Sequence, residues 1–384
     1  MIFQAVQYML SVKHLDMMSR TLASRHIRPI YEDGSDRLHC SIGNSVVVFK
    51  VAYRGVRSAL RVYIQPHRNL QAIYGECYLP NELLVCSGAE SYCFADVVLC
   101  EWHEGETLQS RVEESISKPA KLLSLSTMFE ELALSLLEES WAHGDLKPEN
   151  IIVTKSGLRL IDFDAMYREG FTSDDCVEIG TAQYQHPLRD KSTFGKSIDD
   201  YPIALITTVL AAVALDASLG RALLHSDYFL INPHLAVEGR DEMLVRAERL
   251  FAEKGDARHY RIAQMLRSKH QALPRLKSVL AMAPRHGNDS SELSAECYNG
   301  LWGYTCSGEF VIPPYYDLAF DFSEGLGLVR IADVWHFIDA DGKVVITCGR
   351  GERIKPFRGG VTRMQREDGV ELIIYKDGRV EENI

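Results

Sequence analysis

The stretch SWAHGDLKPENIIV, residues 140–153, places a polar loop between two segments of different hydrophobic period. Just before it, the apolar residues of TMFEELALSLLEE recur at the spacing of one helix face. Just after it, IIVTKSGLRLID predicts a β-hairpin with Ser156-Gly157 at its turn. The chain must therefore pass from a helix through the loop into a hairpin, which returns Asp162 towards Asn150.

The loop concentrates the side chains that transfer of a phosphoryl group requires. The transition state of this reaction is loose and spreads its charge, so a catalyst mainly positions groups and neutralises charge. Asp145 supplies a carboxylate for an acceptor hydroxyl, Lys147 a cation for the γ-phosphate, and Asn150 an oxygen ligand for magnesium. Magnesium sites usually include a carboxylate as well, and Asp162 is the candidate. The alternative is a helix-to-strand loop whose polar residues share no role.

The hydrophobic period changes along the rest of the chain. Residues 1–35 have apolar positions compatible with a short helical extension. Runs rich in β-branched residues follow from about 36 to 104 and predict strands, with one helix near 67–79. Helical periods dominate from about 106 to 282. We therefore predict an α+β protein in which a small strand-rich part precedes a larger helical part.

Residues 297–384 return to a strand-rich composition and contain an internal repeat. A polar segment with Pro and Gly, residues 283–296, precedes them and is predicted to be a linker. Trp302 and Trp335 open two copies of one layout at a spacing of 33 residues, and a weaker third copy follows. We expect both tryptophans to anchor the core of their units rather than to contact a ligand.

Bulk composition limits the partners of the chain. Its formal net charge of −11 disfavours non-specific binding to nucleic acids and anionic membranes. The nine cysteines include no C-x-x-C pair, which favours reduced thiols and a cytoplasmic location. The N-terminus lacks the pattern of a signal peptide. The longest apolar run, residues 202–215, is too short to span a bilayer and predicts a buried core helix.

Over roughly residues 36–280 the chain resembles the protein-kinase superfamily. HGDLKPEN is similar to the catalytic loop, and the DFD of residues 162–164 is similar to the metal-binding Asp-Phe-Gly. In GTAQYQHP, Thr181 takes the position that meets the catalytic Asp and Lys, and Asp199 takes the position that supports the loop backbone. The resemblance implies a two-lobed protein kinase-like fold, ATP and Mg²⁺ as cofactors, Asp145 and Lys147 as catalytic residues, and Asn150 and Asp162 as ligands of the nucleotide-bound metal.

The same resemblance assigns the strand-rich part to a lobe that grips the nucleotide. LCEWHEGETL looks like the hinge, where backbone groups of Glu101 to His103 would meet adenine. Arg61 stands where the family has the lysine that touches the α- and β-phosphates, and Gly43 lies in the strands that cover them. Together with IDFDAMY and YQHP, these residues resemble a divergent bacterial kinase-like group. The implied boundaries are N-lobe 36–100, hinge 101–105 and C-lobe 106–282.

Several positions depart from the kinase pattern. Gly43 is the one glycine of SIGNSVVVFKV, where the family has a glycine-rich loop. Arg61 is a planar fork rather than a point charge, and Glu76 is the one reasonable candidate for its usual helical partner. Asp164 adds a carboxylate near the metal, and Gly144 replaces an arginine that often binds a phosphorylated loop.

These motifs lead to three functional hypotheses. The first is an ATP- and Mg²⁺-dependent protein kinase-like phosphotransferase, for which Lys147 favours Ser/Thr acceptors by resemblance. The second is a pseudokinase scaffold that binds partners, with or without a nucleotide, and catalyses no turnover. The third is a small-molecule phosphotransferase, although such relatives usually lack both Lys147 and a segment like GTAQYQHP.

The C-terminal copies resemble WG repeats, named for Trp-Gly. LWGYTCSGEFVIPPYYDLAFDFSEGLGLVRI carries nearly the whole pattern, and VWHFIDADGKVVI carries part of it. Such repeats are β-rich interaction modules without a chemistry that can be carried over. The resemblance therefore implies that residues 297–384 bind a protein substrate or partner. From the net charge we expect neither a nucleic acid nor a membrane as a partner.

Overall fold

The computed structural model describes residues 4–43, 45–88, 91–282, 286–351, 353–366 and 368–383. The mixed α/β architecture and the strand-rich C-terminal region that the sequence predicts are both present.

An antiparallel six-stranded sheet forms the N-terminal part, with strand order β1-β3-β4-β6-β5 and β2 paired to β3. Alternate residues of the third strand, Val47, Phe49 and Val51, are fully buried, as the two-residue period of a strand requires. The strands are β1 (Arg28–Pro29), β2 (Cys40–Ile42), β3 (Val46–Tyr53), β4 (Val56–Tyr63), β5 (Tyr78–Gly88) and β6 (Ser91–Glu101).

Three short helices accompany this sheet: α1 (Ala5–Lys13), α2 (Leu15–Met18) and α3 (Leu70–Tyr74). Tyr8 and Val12 of α1 are buried in the same hydrophobic core as the strands. The helical extension is therefore an integral layer of the N-terminal part. The predicted helix near 67–79 is only five residues long, because Gly75 follows it with a positive φ of 56°.

Helices dominate the middle of the chain. They are α4 (Leu108–Glu113), α5 (Pro119–Glu138), α6 (Asp200–Leu215), α7 (Ala217–Leu223), α8 (Pro233–Val237), α9 (Glu242–Lys254), α10 (Ala257–Met265) and α11 (Leu276–Ala281). A three-stranded sheet also belongs to this region: β7 (Glu106–Thr107) comes just before α4, and β8 (Ile151–Thr154) and β9 (Gly157–Leu160) lie between α5 and α6 in the chain.

Helix α6 is the centre of the middle region and packs against α5, α9 and α10. With its preceding turn it forms an apolar stretch, Lys196–Leu215, whose length and composition pass the test for a membrane span among the described residues. Within this stretch, 83% of an apolar 18-residue segment is buried inside the protein. It is therefore the core helix that the sequence predicts, and it is compatible with a soluble protein. The cytoplasmic location stays a prediction. All nine cysteines are free thiols.

The C-terminal region consists of three successive antiparallel sheets. The first contains β10 (Ser294–Tyr298), β11 (Leu301–Cys306) and β12 (Glu309–Tyr316). The second contains β13 (Leu318–Ala319), β14 (Gly327–Ile331), β15 (Val334–Ile338) and β16 (Val344–Arg350). The third contains β17 (Arg353–Ile354), β18 (Val361–Gln365), β19 (Glu371–Tyr375) and β20 (Val380–Asn383).

The repeat copies do not coincide with the sheets. The second sheet pairs two strands of the first copy with two of the second, and the third sheet joins the second copy to the weaker third. Each copy thus completes the sheet begun by its predecessor, as neighbouring units do in repeat proteins. Trp335 is buried in the core of these sheets, as expected for an anchor, whereas Trp302 is only half-buried.

The C-terminal sheets pack directly on the helices of the middle region. The Tyr315 hydroxyl lies 3.0 Å from the carbonyl oxygen of Val279 and 2.7 Å from that of Met282. Arg261 of α10 donates to the Tyr315 carbonyl at 2.7 Å and pairs with Asp317 at 3.0 Å. The predicted linker is therefore partly structured from Ser290 onward, while residues 283–285 lie outside the described residues.

Candidate active site

A buried carboxylate holds the loop that follows α5. Asp199, in the turn that leads into α6, accepts a hydrogen bond from the backbone N–H of Gly144 at 2.9 Å and a second one from that of His143. Burial raises the pKa of Asp199, and the two amide hydrogen bonds oppose that shift. The contact fixes the backbone of the loop immediately before Asp145.

Gly144 lies where the loop meets the segment after β9. Its φ of +82° favours glycine, and a Cβ atom at this position would overlap the carbonyl oxygen of Ala165. No residue with a Cβ atom can be accommodated here in this conformation.

Asp145, Lys147 and Thr181 form a compact triangle. The Lys147 ammonium lies 2.8 Å from Thr181 Oγ1 and 3.1 Å from Asp145 Oδ2, while the Thr181 N–H donates to Asp145 Oδ1 at 2.6 Å. Burial favours the protonated acid, but Lys147 and the Thr181 hydrogen bonds hold the pKa of Asp145 below its ordinary value. Asp145 is therefore an ionised carboxylate with a cation beside it.

Asn150 joins this triangle through its amide nitrogen. Nδ2 donates to the backbone oxygen of Asp145 at 2.9 Å and to its Oδ2 at 3.2 Å. The backbone of Asn150 accepts a hydrogen bond from Ile161 at 3.0 Å, so the hairpin does bring the following residue, Asp162, beside the loop. The turn is shifted by one residue from the prediction: Thr154 pairs with Gly157, which leaves residues 155–156 at the turn.

Arg61 reaches from β4 of the N-terminal sheet into the middle region. Its Nη2 lies 2.6 Å from Asp162 Oδ1 and 2.7 Å from Asp164 Oδ2, and the residue is only 6% exposed. Glu76, the candidate helical partner, is instead exposed in the turn after α3. One guanidinium nitrogen, Nη2, thus contacts both of the carboxylates that the sequence predicts near a metal.

Aromatic residues complete the surroundings of Asp164. Its Oδ1 accepts hydrogen bonds from the hydroxyls of Tyr63 at 2.7 Å and Tyr74 at 2.6 Å, and its carbonyl oxygen lies 2.9 Å from His67 Nε2. These three residues were not predicted from the sequence. Tyr63 follows Arg61 by two residues and so shares its strand face, a signal that was present, but no local pattern points to Tyr74 or His67.

The other predicted nucleotide-binding residues lie apart from these contacts. Gly43 follows β2, Glu101 ends β6, and His103 Nδ1 lies 3.7 Å from Glu101 Oε1. Within the described part of the chain, no hydrogen bond or ion pair joins these three residues to Asp145 or Asp162. The side-chain contacts thus form two groups: Arg61 with Asp162 and Asp164, and Asp145 with Lys147 and Asn150.

The residues expected to hold magnesium do not fit that ion in this arrangement. Magnesium requires several oxygen ligands in near-octahedral geometry. Asp162 directs Oδ1 at the Arg61 guanidinium, and Asn150 uses its amide nitrogen as a donor to Asp145. Among the described residues, no group of three His, Cys, Asp or Glu side chains is arranged to hold a metal ion.

Comparison with known proteins gives one family. Residues 307–335 match the family described as WG containing repeat. This match supports WG repeats in the C-terminal region. The matched residues extend from the hairpin turn before β12 to Trp335 in β15, so they run across the boundary between the first two C-terminal sheets. The curated proteins include no match to the chain.

Proposed function

We propose that this chain is a nucleotide-dependent phosphotransferase on a two-lobed protein kinase-like fold, acting on a protein hydroxyl. The observation that carries the proposal is the triangle of Asp145, Lys147 and Thr181, held in place by Asp199. The order of the parts, a six-stranded sheet followed by a helical region, is compatible with two lobes.

Four side chains of the site have definite tasks in this proposal. Asp145 is ionised and half-buried, so it can orient an acceptor hydroxyl and take its proton. Lys147 lies beside it as a cation for the transferred phosphoryl group. Asn150 holds the Asp145 carboxylate in position. Arg61 and the backbone of residues 101–103 are the proposed contacts of ATP, and no step is assigned to magnesium.

The proposal is tested by phosphoryl transfer from labelled ATP to casein and to the chain itself. Asp145→Asn keeps the size of the side chain but removes the base, so we expect transfer to fall by about 10²–10⁴-fold. ATP should still raise the melting temperature of the variant. Asp36→Asn, an exposed carboxylate between β1 and β2, is the matched control and should retain full transfer. Equal transfer by the Asp145→Asn and wild-type proteins would refute the base role.

A pseudokinase scaffold is the second candidate, and one observation favours it. The Arg61 guanidinium is paired with Asp162 and Asp164, so a phosphate would have to compete with two carboxylates for it. The scaffold hypothesis expects partner binding through the WG repeats without transfer. Thermal stabilisation by ATP without any labelled product, under conditions that detect one turnover per hour, would select it.

A further inference from the structure

Two carboxylates converge on one guanidinium at the junction of the N-terminal sheet and the middle region. Asp162 Oδ1 and Asp164 Oδ2 both lie within 2.7 Å of the same nitrogen, Arg61 Nη2. A charge-assisted contact of this length is a strong hydrogen bond. The nitrogen therefore stands where a divalent cation bridging these two acids would have to stand.

The surroundings keep the guanidinium in that position. Tyr63 and Tyr74 saturate the second oxygen of Asp164, and Arg61 Nε lies 3.4 Å from the Tyr63 hydroxyl. Arg61 and both tyrosines come from the N-terminal part, whereas the acids come from the segment after β9. A cation entering this network would meet a buried positive charge that is already paired with both acids.

We propose that the Arg61 guanidinium replaces the divalent cation of this site, so that Asp162 neither binds nor needs a metal. Arginine suits this role because its guanidinium group is planar, always charged and able to donate hydrogen bonds to two carboxylates. Asp164 is then a positioning residue, since it holds the guanidinium on Asp162. The functional consequence, nucleotide binding that does not require a divalent cation, rests on the proposed function.

The test measures binding of Mn²⁺ alone to the full chain, by electron paramagnetic resonance of the free ion, without nucleotide. The wild type and Asp162→Asn should bind Mn²⁺ equally weakly. Arg61→Gln removes the guanidinium charge and should bind at least tenfold more tightly than the wild type. The double variant Arg61→Gln with Asp162→Asn should lose that gain.

Two results of the Mn²⁺ measurement would overturn the proposal. The first is wild-type Mn²⁺ binding that Asp162→Asn abolishes, because Asp162 would then hold a metal beside Arg61. The second is a folded Arg61→Gln protein that gains no Mn²⁺ affinity, because the two acids would then not define a cation position. Circular dichroism checks the fold of each variant. If Arg61→Gln does not fold, Arg61→Met takes its place, and the comparison of the wild type with Asp162→Asn decides.

A thermal-shift titration with ATP, in EDTA and in magnesium, separates this inference from the proposed function. Equal stabilisation in both buffers supports the replacement of the cation. Stabilisation that appears only with magnesium overturns it and leaves the phosphotransferase proposal intact. Absence of transfer, together with the expected Mn²⁺ pattern, refutes the phosphotransferase and leaves the replacement standing.

Discussion

The Asp199 carboxylate accepts a 2.9 Å hydrogen bond from the backbone N–H of Gly144, a residue 55 positions earlier in the chain. A second hydrogen bond comes from the N–H of His143, and both donors are buried. Because Asp199 leads into the most deeply buried helix, the position of the loop with Asp145 depends on the core of the middle region. The core of the middle region thus holds the loop backbone at His143 and Gly144.

Asp199→Asn should lower the free energy of unfolding by about 1–3 kcal/mol. The amide keeps one oxygen, but its NH₂ group would face a backbone donor and leave a buried hydrogen bond unmade. Urea unfolding followed by circular dichroism measures the change. Asp174→Asn, at an exposed carboxylate, is the control and should stay within about 0.5 kcal/mol of the wild type. An unchanged Asp199→Asn midpoint would contradict the supporting role.

Gly144→Ala should destabilise the protein by more than the conformational penalty alone, which is about 1–2 kcal/mol. The added Cβ would overlap the carbonyl oxygen of Ala165, in addition to the cost of a φ of +82°. Gly308→Ala is a matched control, because Gly308 has the same φ and open space around its Cβ position. Differential scanning calorimetry compares the two melting temperatures. If the melting temperatures of both variants fall by the same amount, the close approach to Ala165 has no energetic cost.

The protein should become less stable as the pH rises from 6.5 towards 9, because His259 in α10 loses its proton over this range. Burial lowers the pKa of His259, but the carboxylates of Asp256 and Glu130 raise it to about 9, from an ordinary value of 6.5. The charged form therefore stabilises the fold fully below pH 6.5, and this contribution, of the order of a few kcal/mol, is lost as the pH passes 9. Urea unfolding across this range should show a slope that His259→Gln removes. A parallel pH dependence of both proteins would exclude the ion pairs as its cause.

His336 should have the opposite dependence on pH. It lies between the C-terminal sheets and α9, where Nε2 is 2.7 Å from the carbonyl oxygen of Ala252, and burial lowers the pKa of His336 to about 4. Its neutral form is favoured in the folded protein, so stability is present above pH 6.5 and falls as the pH drops towards 4. Melting temperatures between pH 7 and 5 should fall more steeply for the wild type than for His336→Gln. Equal slopes of melting temperature against pH for the two proteins would mean that a group other than His336 titrates in this range.

Tyr315→Phe should reduce the free energy of unfolding by about 0.5–1.5 kcal/mol. The substitution removes the buried hydroxyl that bonds to the carbonyl oxygens at the end of α11 and just beyond it, and so weakens the packing of the first C-terminal sheet. Tyr298→Phe is the control, since Tyr298 is 57% exposed, and it should have little effect. The free energies come from urea unfolding of the full chain. If Tyr298→Phe lowered the free energy of unfolding as much as Tyr315→Phe does, this explanation would be contradicted.

Local patterns in the sequence predicted much of the secondary structure. The β8–β9 hairpin and the strands of the N-terminal sheet follow from runs of β-branched and apolar residues, and the core helix α6 follows from an apolar run that is too short to span a bilayer. The repeat spacing likewise predicted the WG region that the family match supports. The one-residue error at the hairpin turn arose because apolar spacing locates a turn without fixing the pairing register.

Only the tertiary structure decided which side chains meet at the candidate site. Arg61 pairs with acids 101 and 103 residues further along the chain, and no periodicity encodes a contact at that separation. The sequence alone determined that two carboxylates follow β9 and that an arginine lies in β4. The fold decided that they share one guanidinium, because a buried charge must find the opposite charge that packing brings within reach.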